Sequence, residues 1–397
     1  MKPSYILSIN AGSSSIKFSL FSIQDSLKEE ASGNLEKIGM NGTHLRFHYY
    51  GQASEKKMEL GKQSYLEAGE YLVQFLIENM DFSHIIAIGH RLVQGFHFVE
   101  PERIDTQFIN DLKELIPLDP DHLPLELGLM EVFQKKFPKL IQMACFDTSF
   151  HNKMPKMAKF LNIPRKYFEK GIYRYGFHGI SYSYILFELE KLIGYKAKNS
   201  KIIIAHLGSG ASMVAIRDGQ CQDTSMGFTP NSGFIMGTRS GDLEPGIFTY
   251  LQSHEGMSLN QLNTLLNKES GLLGISETSS DMRELKEIRH TDIRAEEAIN
   301  LLSYQVRKWI GSLVSVLEGL DILIFTGGIG ENDPDCRLSI GQGMKYLGLE
   351  LDRVKNSQNA PLISLPTSAI SVRVIPTREE WMMASLICQK MNILVKV

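Results

Sequence analysis

Cysteine is scarce in this chain. There are four among 397 residues, Cys145, Cys221, Cys336 and Cys388, far apart and with no C-x-x-C pair. That excludes a disulfide framework and a cysteine-based zinc site, and it fits a reducing compartment. No apolar run is long enough to span a bilayer. The first ten residues run straight into a polar Gly/Ser stretch, with no secretory h-region. A soluble, cytoplasmic protein is the expectation. Charge of one sign is also lacking, with 42 basic against 45 acidic residues and a net charge of -3. The broad basic field of a nucleic-acid binder is absent. The short charge runs Lys28–Glu30 and Arg283–Arg289 read as solvated surface. There is no tandem repeat and no low-complexity linker.

What is present is ordinary globular material, 43% hydrophobic and 22% charged, enough for roughly two to three domains. The segment Tyr5–Ile9 reads as a strand. Asn10-Ala11-Gly12-Ser13-Ser14-Ser15 breaks it, and Ile16–Phe21 returns as a second strand. A hairpin tip of such small residues lets backbone N–H groups approach an anion. Ser64–Met80 has helical periodicity, with Ser64 and Glu67 as a capping box. Ile85–Ile88 is a buried strand delivering Gly89-His90-Arg91, and Ile141–Phe146 delivers Asp147. The stretch from Asn34 to Lys62 is polar and carries no assignable function.

The pattern then recurs. Lys201–Ala205 is an apolar strand, His206-Leu207-Gly208-Ser209-Gly210-Ala211-Ser212 a second small-residue tip, and Met213–Ile216 the returning strand. A long amphipathic helix over Ala295–Leu317, with Gly319 as its C-cap, precedes the buried strand Asp321–Phe325. That strand runs into Thr326-Gly327-Gly328-Ile329-Gly330-Glu331-Asn332. This is neither G-x-G-x-x-G nor a Walker A loop, because no G-K-[ST] follows. The repeated strand–tip–strand unit predicts a duplicated α/β domain with a cleft between its halves and a boundary near residue 150. Arg91, Asp147, His178, Arg239 and Asp242 are isolated charged or polar residues at strand ends or among glycines. Guanidinium forks match phosphate oxygens two at a time, so the arginines suit phosphate chemistry. Any one of them alone reads better as a structural ion pair or a satisfied core histidine; their shared context at strand ends or among glycines shifts the balance.

In order along nearly the whole chain stand N-A-G-S-S-S-I-K (Asn10–Lys17), H-R-L-V (His90–Val93), F-D-T-S-F-H (Phe146–His151) and Y-G-F-H-G (Tyr175–Gly179). H-L-G-S-G-A-S (His206–Ser212), D-T-S-M-G-F-T-P (Asp223–Pro230) and M-G-T-R-S-G-D (Met236–Asp242) follow. F-T-G-G-I-G-E-N (Phe325–Asn332) and V-I-P-T-R-E-E (Val374–Glu380) complete the series. The series resembles the acetate kinase family, within the sugar kinase/heat-shock protein/actin superfamily. The resemblance implies an α/β fold of duplicated ribonuclease H-like (actin-like ATPase) domains, mixed sheets flanked by helices, with the active site in the interdomain cleft. It implies an N-terminal domain over 1–150, on which 379–397 packs back, and a nucleotide-binding domain over 151–378. The implied reaction is in-line transfer of the ATP γ-phosphoryl group to acetate, with Mg²⁺, in a cytoplasmic homodimer. A propionate kinase and a nucleotide-binding homologue with weakened turnover stay open as alternatives.

The resemblance also implies roles. Arg91 and Arg239 clamp the transferring group, His178 stabilises its equatorial oxygens, and Asp147 and Glu379 organise the metal. Asn10, Ser13, Ser15 and Lys17 line the phosphate and metal region, with Asn10 and Glu379 nearest the metal. His206 and the turn Gly208, Ser209, Gly210 hold ATP phosphates. Gly327, Gly328, Ile329, Gly330 and Asn332 border the adenosine, and Asp281 lies near the nucleotide. Val93, Leu118, Phe177 and Pro230 form a small apolar pocket for the acetate methyl. Such a cast suits phosphoryl transfer, which depends on positioning and charge neutralisation. Acetate brings its own ionised nucleophile, so no strong base is needed. The chain departs from the family pattern at Gln94, Phe96, Ser209, Ile180-Ser181-Tyr182 and Arg378. It also departs at Asp119, taken as the replacement of a histidine in P-L-H-N-P when that motif is set on Pro117–Asp121.

Overall fold

The computed structural model describes residues 3–12, 14–50 and 56–395. The chain divides into two compact units. The first runs to Ser149 and adds Gly179–Tyr184 and the segment from Arg378; the second holds Phe150–His178 and Ile185–Thr377. Gly179–Tyr184, which the sequence reading gives to the second domain, goes to the first, where the Tyr184 ring stands edge-on to Trp381 at 5.7 Å.

Among the described residues the first unit carries an eight-stranded sheet. Its strands are β1 (Ser4–Ala11), β2 (Ile16–Ile23), β3 (Leu27–Glu36), β4 (Thr43–Tyr49), β5 (Lys56–Gly61), β6 (Ile85–Leu92), β7 (Glu102–Arg103) and β8 (Ile141–Phe146). Their order is β5-β4-β3-β2-β1-β6-β8-β7. The polar stretch Asn34–Lys62 thus holds the end of β3 and all of β4 and β5. The second unit carries β9 (Ile202–Leu207), β10 (Ala211–Arg217), β11 (Gln220–Thr224), β12 (Ile322–Thr326) and β13 (Ser371–Val374), in the order β11-β10-β9-β12-β13. The stretch β3-β2-β1-β6-β8 repeats that order. In each unit a three-stranded antiparallel meander is extended by two parallel strands. Parallel strands need crossover connections, and helices supply them. The duplication is therefore in the topology.

Side chains alternate across a strand, and this decides what each face of the first sheet carries. Leu7, Ile9 and Ala11 of β1 enter one core with Leu72, Leu76, Leu129 and Phe133 of the helices Tyr65–Asn79 and Leu123–Lys136. The alternate residues meet the helix Glu379–Lys390 on the opposite face. Ser8 Oγ donates to the Glu380 carbonyl at 2.8 Å, and a Cβ on Gly89 would lie 2.5 Å from Ile387 Cδ1. Glycine at 89 is thus what lets the C-terminal helix lie close.

Three local expectations are refined. Arg91 lies inside β6 rather than after it. The long helix is Ile293–Leu317 and its C-cap is Glu318, left-handed at φ 59, with Gly319 N–H closing back onto Val314 at 3.0 Å. The glycine stretch after β12 is a short helix, Gly327–Asn332, rather than an open loop.

Candidate active site

In the first unit, the β1/β6 register pairs Ser8 with Gly89 and Ile9 with His90, so Asn10 and Arg91 fall on the face that meets the C-terminal helix. There a polar network closes. Asn10 Nδ2 donates to Glu379 Oε2 at 2.9 Å and to Glu380 Oε1 at 2.8 Å. Arg91 Nη1 donates to Asn10 Oδ1 at 3.1 Å and to the Ala11 carbonyl at 3.4 Å. Arg91 Nε and Nη2 both reach Asp147 Oδ2, at 3.2 and 2.6 Å. The Asp147 side chain is 1% exposed and that of Arg91 13%. Burial works against the guanidinium charge, but Asp147 and Glu379 outweigh it and Arg91 stays firmly cationic. Lys17 pairs with Asn10 across the hairpin, and its charge acts on Glu380, whose carboxyl burial pushes up. Ser15 follows at the hairpin tip; Ser13 lies outside the described residues.

In the second unit, four segments converge. His206 and Ser212 are cross-strand partners, and Ser212 Oγ lies 2.7 Å from His178 Nδ1. The His178 and His206 rings stack at 4.4 Å. His178 is held in the left-handed region, at φ 57, where the helix Gly179–Ile193 begins. A non-glycine residue there is held against its preference, which is common at functional sites. A Cβ on Gly210 would lie 3.5 Å from both Arg239 Nη1 and His178 Nε2, so the tip, the arginine and the histidine surround one small space. A Cβ on Gly208 would lie 3.8 Å from Gly328 N, and Gly237 N–H donates to Ser209 O at 2.9 Å. Gly327 sits at φ 77 with Leu207 O 2.7 Å from its would-be Cβ, a position only glycine can fill. Asp281 caps the helix Met282–Ile288 and binds Arg283 through Nε at 3.1 Å and Nη2 at 2.6 Å. Asn332 Nδ2 closes onto Gly328 O at 3.0 Å.

The methyl-pocket residues divide between the units, Val93 and Leu118 in the first, Phe177 and Pro230 in the second. Val93, Phe177 and Pro230 are buried; Leu118 packs partly against the cluster around Leu92 and Phe146. Pro230 O accepts from Arg239 Nη1 at 3.2 Å. Asp119 is buried, and its Oδ1 lies 3.0 Å from His122 Nδ1. The spacing P-L-H-N-P also fits Pro120–Pro124, where Pro120, His122 and Pro124 all match. In that register His122 is the histidine, Asp119 is its hydrogen-bond partner, and Asp121 takes the place given above to Leu118.

Several residues escaped the sequence reading. Glu380 shares Asn10 with Glu379, and only its adjacency in R-E-E could have flagged it. Ser212 orients His178. Glu331 Oε1 accepts from Gly327 N–H at 2.8 Å and Thr377 N–H at 3.0 Å, fixing the glycine turn. Arg337, fully buried, donates to Gly330 O at 2.8 Å. Among the described residues no helix is long and apolar enough to cross a membrane.

The model of the acetokinase family matches residues 5–385. The acetate kinase of Dictyoglomus thermophilum is 40% identical over 389 residues, covering 96% of this chain and 97% of that one. Among solved structures, a propionate kinase from Francisella tularensis subsp. tularensis SCHU S4 superposes with a TM-score of 0.88 at 37% identity, covering 96% of this chain and 98% of its own. The Porphyromonas gingivalis acetate kinase gives 0.85 at 34% identity, covering 98% and 99%.

Proposed function

The chain belongs to the acetokinase family, and on that premise we propose that it moves the γ-phosphoryl group of ATP reversibly to acetate, giving acetyl phosphate and ADP. The observation that carries the reading is the Asn10–Arg91–Asp147–Glu379 network. It holds a cationic guanidinium and two acids in fixed geometry where no packing need explains them. Arg91 and Arg239 are assigned to the transferring phosphoryl group, whose charge they meet as it spreads over the equatorial oxygens. His178, oriented by Ser212, donates to the same oxygens. The turns Gly208–Gly210 and Gly327–Gly330 bring backbone N–H groups close to the nucleotide, with a His206 ring N–H and the Lys17 ammonium meeting the phosphates and Asp281 and Asn332 beside the nucleoside. Val93, Phe177 and Pro230 are assigned to the acetate methyl, with the fourth place falling to Leu118 in one register of P-L-H-N-P and to Asp121 in the other.

Mg²⁺ fits this donor set. Magnesium is usually held by one or two carboxylates plus substrate phosphates and keeps several waters. Glu379 and Glu380, both anchored by Asn10, and the buried Asp147 suit that pattern. Among the described residues no group of three or more His, Cys, Asp or Glu forms an all-protein cage. Asn10 turns its amide N–H₂ to the acids and its oxygen to Arg91, so its part is to orient those carboxylates rather than to coordinate. When bound, the metal neutralises phosphate charge. A homodimer in the cytoplasm completes the proposal.

Propionate as acceptor is favoured by one observation, the superposition on the Francisella propionate kinase. One extra methylene is worth about 1–3 kcal/mol of discrimination, about tenfold or more in kcat/KM. Coupled ADP release with acetate, propionate and butyrate separates the readings. Acetate should have the highest kcat/KM, and no release with any of the three would defeat both.

A further inference from the structure

Glu126 is an acid that the reaction leaves unused. It lies in the first turn of the helix Leu123–Lys136 and is 3% exposed. A carboxyl group is almost never buried without a partner or a task. Its Oε1 accepts the peptide N–H of Val93 at 3.0 Å, in a fully buried bond. Val93 directly follows β6, the strand that carries Arg91. The bond therefore fastens the turn after β6 to a helix end, just where the chain passes from the phosphoryl clamp to the methyl wall.

The surroundings of Glu126 are unusual. Its Oε2, Asp119 Oδ2 and the Tyr65 hydroxyl are buried polar atoms with no hydrogen-bond partner among the described residues. Asp119 is 7% exposed and approaches Glu126 closely enough to raise its pKa; Arg91 opposes that shift, Asp147 adds to it, and Tyr65 feels the charge of Glu126 in turn. His122 sits on the far oxygen of Asp119. Burial is the largest cause of the upward shift at Glu126. A leucine there would satisfy packing at lower cost, because burying acids together is expensive. The one thing a leucine cannot do is accept the Val93 N–H.

We propose that Glu126 is a positioning residue for the acceptor pocket: by holding the Val93 N–H it fixes the wall against which the acceptor's alkyl group rests, and so sets the preference among short carboxylates. The inference rests on the reading of Val93 as that wall.

Four variants of the full chain test it: Glu126→Leu, Glu126→Gln, Glu126→Asp and Val93→Ala. Each is assayed for kcat and for KM toward ATP, acetate and propionate. Glu126→Leu should raise the acetate KM about tenfold and reduce the acetate-to-propionate ratio of kcat/KM at least about threefold, with the ATP KM within about twofold of wild type. Glu126→Gln keeps an acceptor for the N–H and should restore most of the acetate KM and the ratio. If Val93→Ala shifts the ratio and Glu126→Leu does not, the positioning role is overturned while the pocket reading stands. If Val93→Ala leaves the ratio alone, the pocket reading fails and the inference falls with it. An equal loss of kcat in the Leu and Gln variants with all three KM values intact would mark a structural role only and overturn the proposal. Should Glu126→Leu not fold, Glu126→Asp decides: its carboxyl is one methylene too short for the Val93 N–H, and a wild-type acetate KM there overturns the proposal.

Discussion

A guanidinium that clamps a phosphoryl group has to be held in place without all its donors being consumed. Arg91 meets both needs. Asp147 takes Nε and one Nη2 hydrogen on a single oxygen, Asn10 and Ala11 take Nη1, and the other Nη2 hydrogen has no recorded partner among the described residues. Removing Arg91 therefore has two consequences. The transition state loses a charge-assisted contact, and Asp147 is left buried with its charge less well compensated. Arg91→Ala should cut kcat by about a hundredfold or more and also lower stability by about 3–5 kcal/mol, the usual cost of breaking a buried pair. Among the bonds described, Arg239 Nη1 donates to the Pro230 carbonyl at 3.2 Å and to Met236 Sδ at 3.9 Å. Arg239→Ala should cut kcat comparably. Single-turnover rates set beside urea unfolding midpoints check this; wild-type stability in Arg91→Ala would refute the buried-pair reading, and a near-normal kcat in either variant would refute the clamp. At this scale the candidate residues could be picked out of the sequence, because Asp147, His178 and Arg239 each stand at a strand end or among glycines and Arg91 stands near the end of an apolar run. Glu126 and Glu380 were hidden for a physical reason. An acid in the first turn of a helix looks like an ordinary favourable end charge, and nothing local says that it is buried.

At the scale of elements, the hairpin tips were legible because apolar β-branched runs broken by glycine and serine allow few other structures. β4 and β5 were not. β5, Lys56–Gly61, is an edge strand with four of its six residues exposed and none buried, so it never needs an apolar run, and charges there protect the edge. The glycine turn after β12 looked like a loop because six residues with three glycines carry little helical propensity. Here tertiary bonds from Glu331 and Arg337 impose the turn. The tips make a sharp prediction. At Gly210 a methyl group would touch Arg239 Nη1 and His178 Nε2 at 3.5 Å, ordinary contact that leaves the backbone undisturbed. It would fill the space assigned to a phosphate oxygen. Gly210→Ala should fold with a near-normal melting temperature and raise the ATP KM at least about tenfold, through hydrogen bonds to charge worth about 1.5–3 kcal/mol each. Gly327→Ala should instead fail to fold well, since the left-handed backbone and Leu207 O at 2.7 Å leave no room. An unchanged ATP KM in a folded Gly210→Ala protein would remove the phosphate assignment of that tip.

At the scale of the whole molecule, each unit buries a histidine that the fold keeps neutral. His90 in the first unit bonds through Nε2 to Gln142 Oε1 at 2.9 Å and meets the edge of Phe133. His151 in the second bonds through Nε2 to Phe177 O at 3.0 Å and through Nδ1 to Cys221 Sγ at 3.2 Å. Burial lowers both, each to about 4. The unfolded chain takes up these protons near pH 6.5 while the fold refuses them until about pH 4. Between those values the unfolded state binds more protons, so stability falls as pH falls. A lowering from 6.5 to about 4 corresponds to about 3 kcal/mol for each histidine. Glu126 acts in the opposite sense. Its carboxyl is raised, so its contribution is present below the ordinary carboxylate range and is lost as pH rises toward its folded value. The stability curve should therefore descend on the acid side mainly through the two histidines. Because they lie in different units, acid should loosen both units rather than one. Urea unfolding of the full chain from pH 7 to 4, followed by tryptophan and by far-ultraviolet signal, reads this directly. His90→Gln and His151→Gln should each flatten the descent between about pH 6.5 and 4, and the double variant should flatten it by about the sum, since distant sites add. A descent of wild-type steepness in the double variant would mean that the two histidines are not the groups the fold keeps neutral.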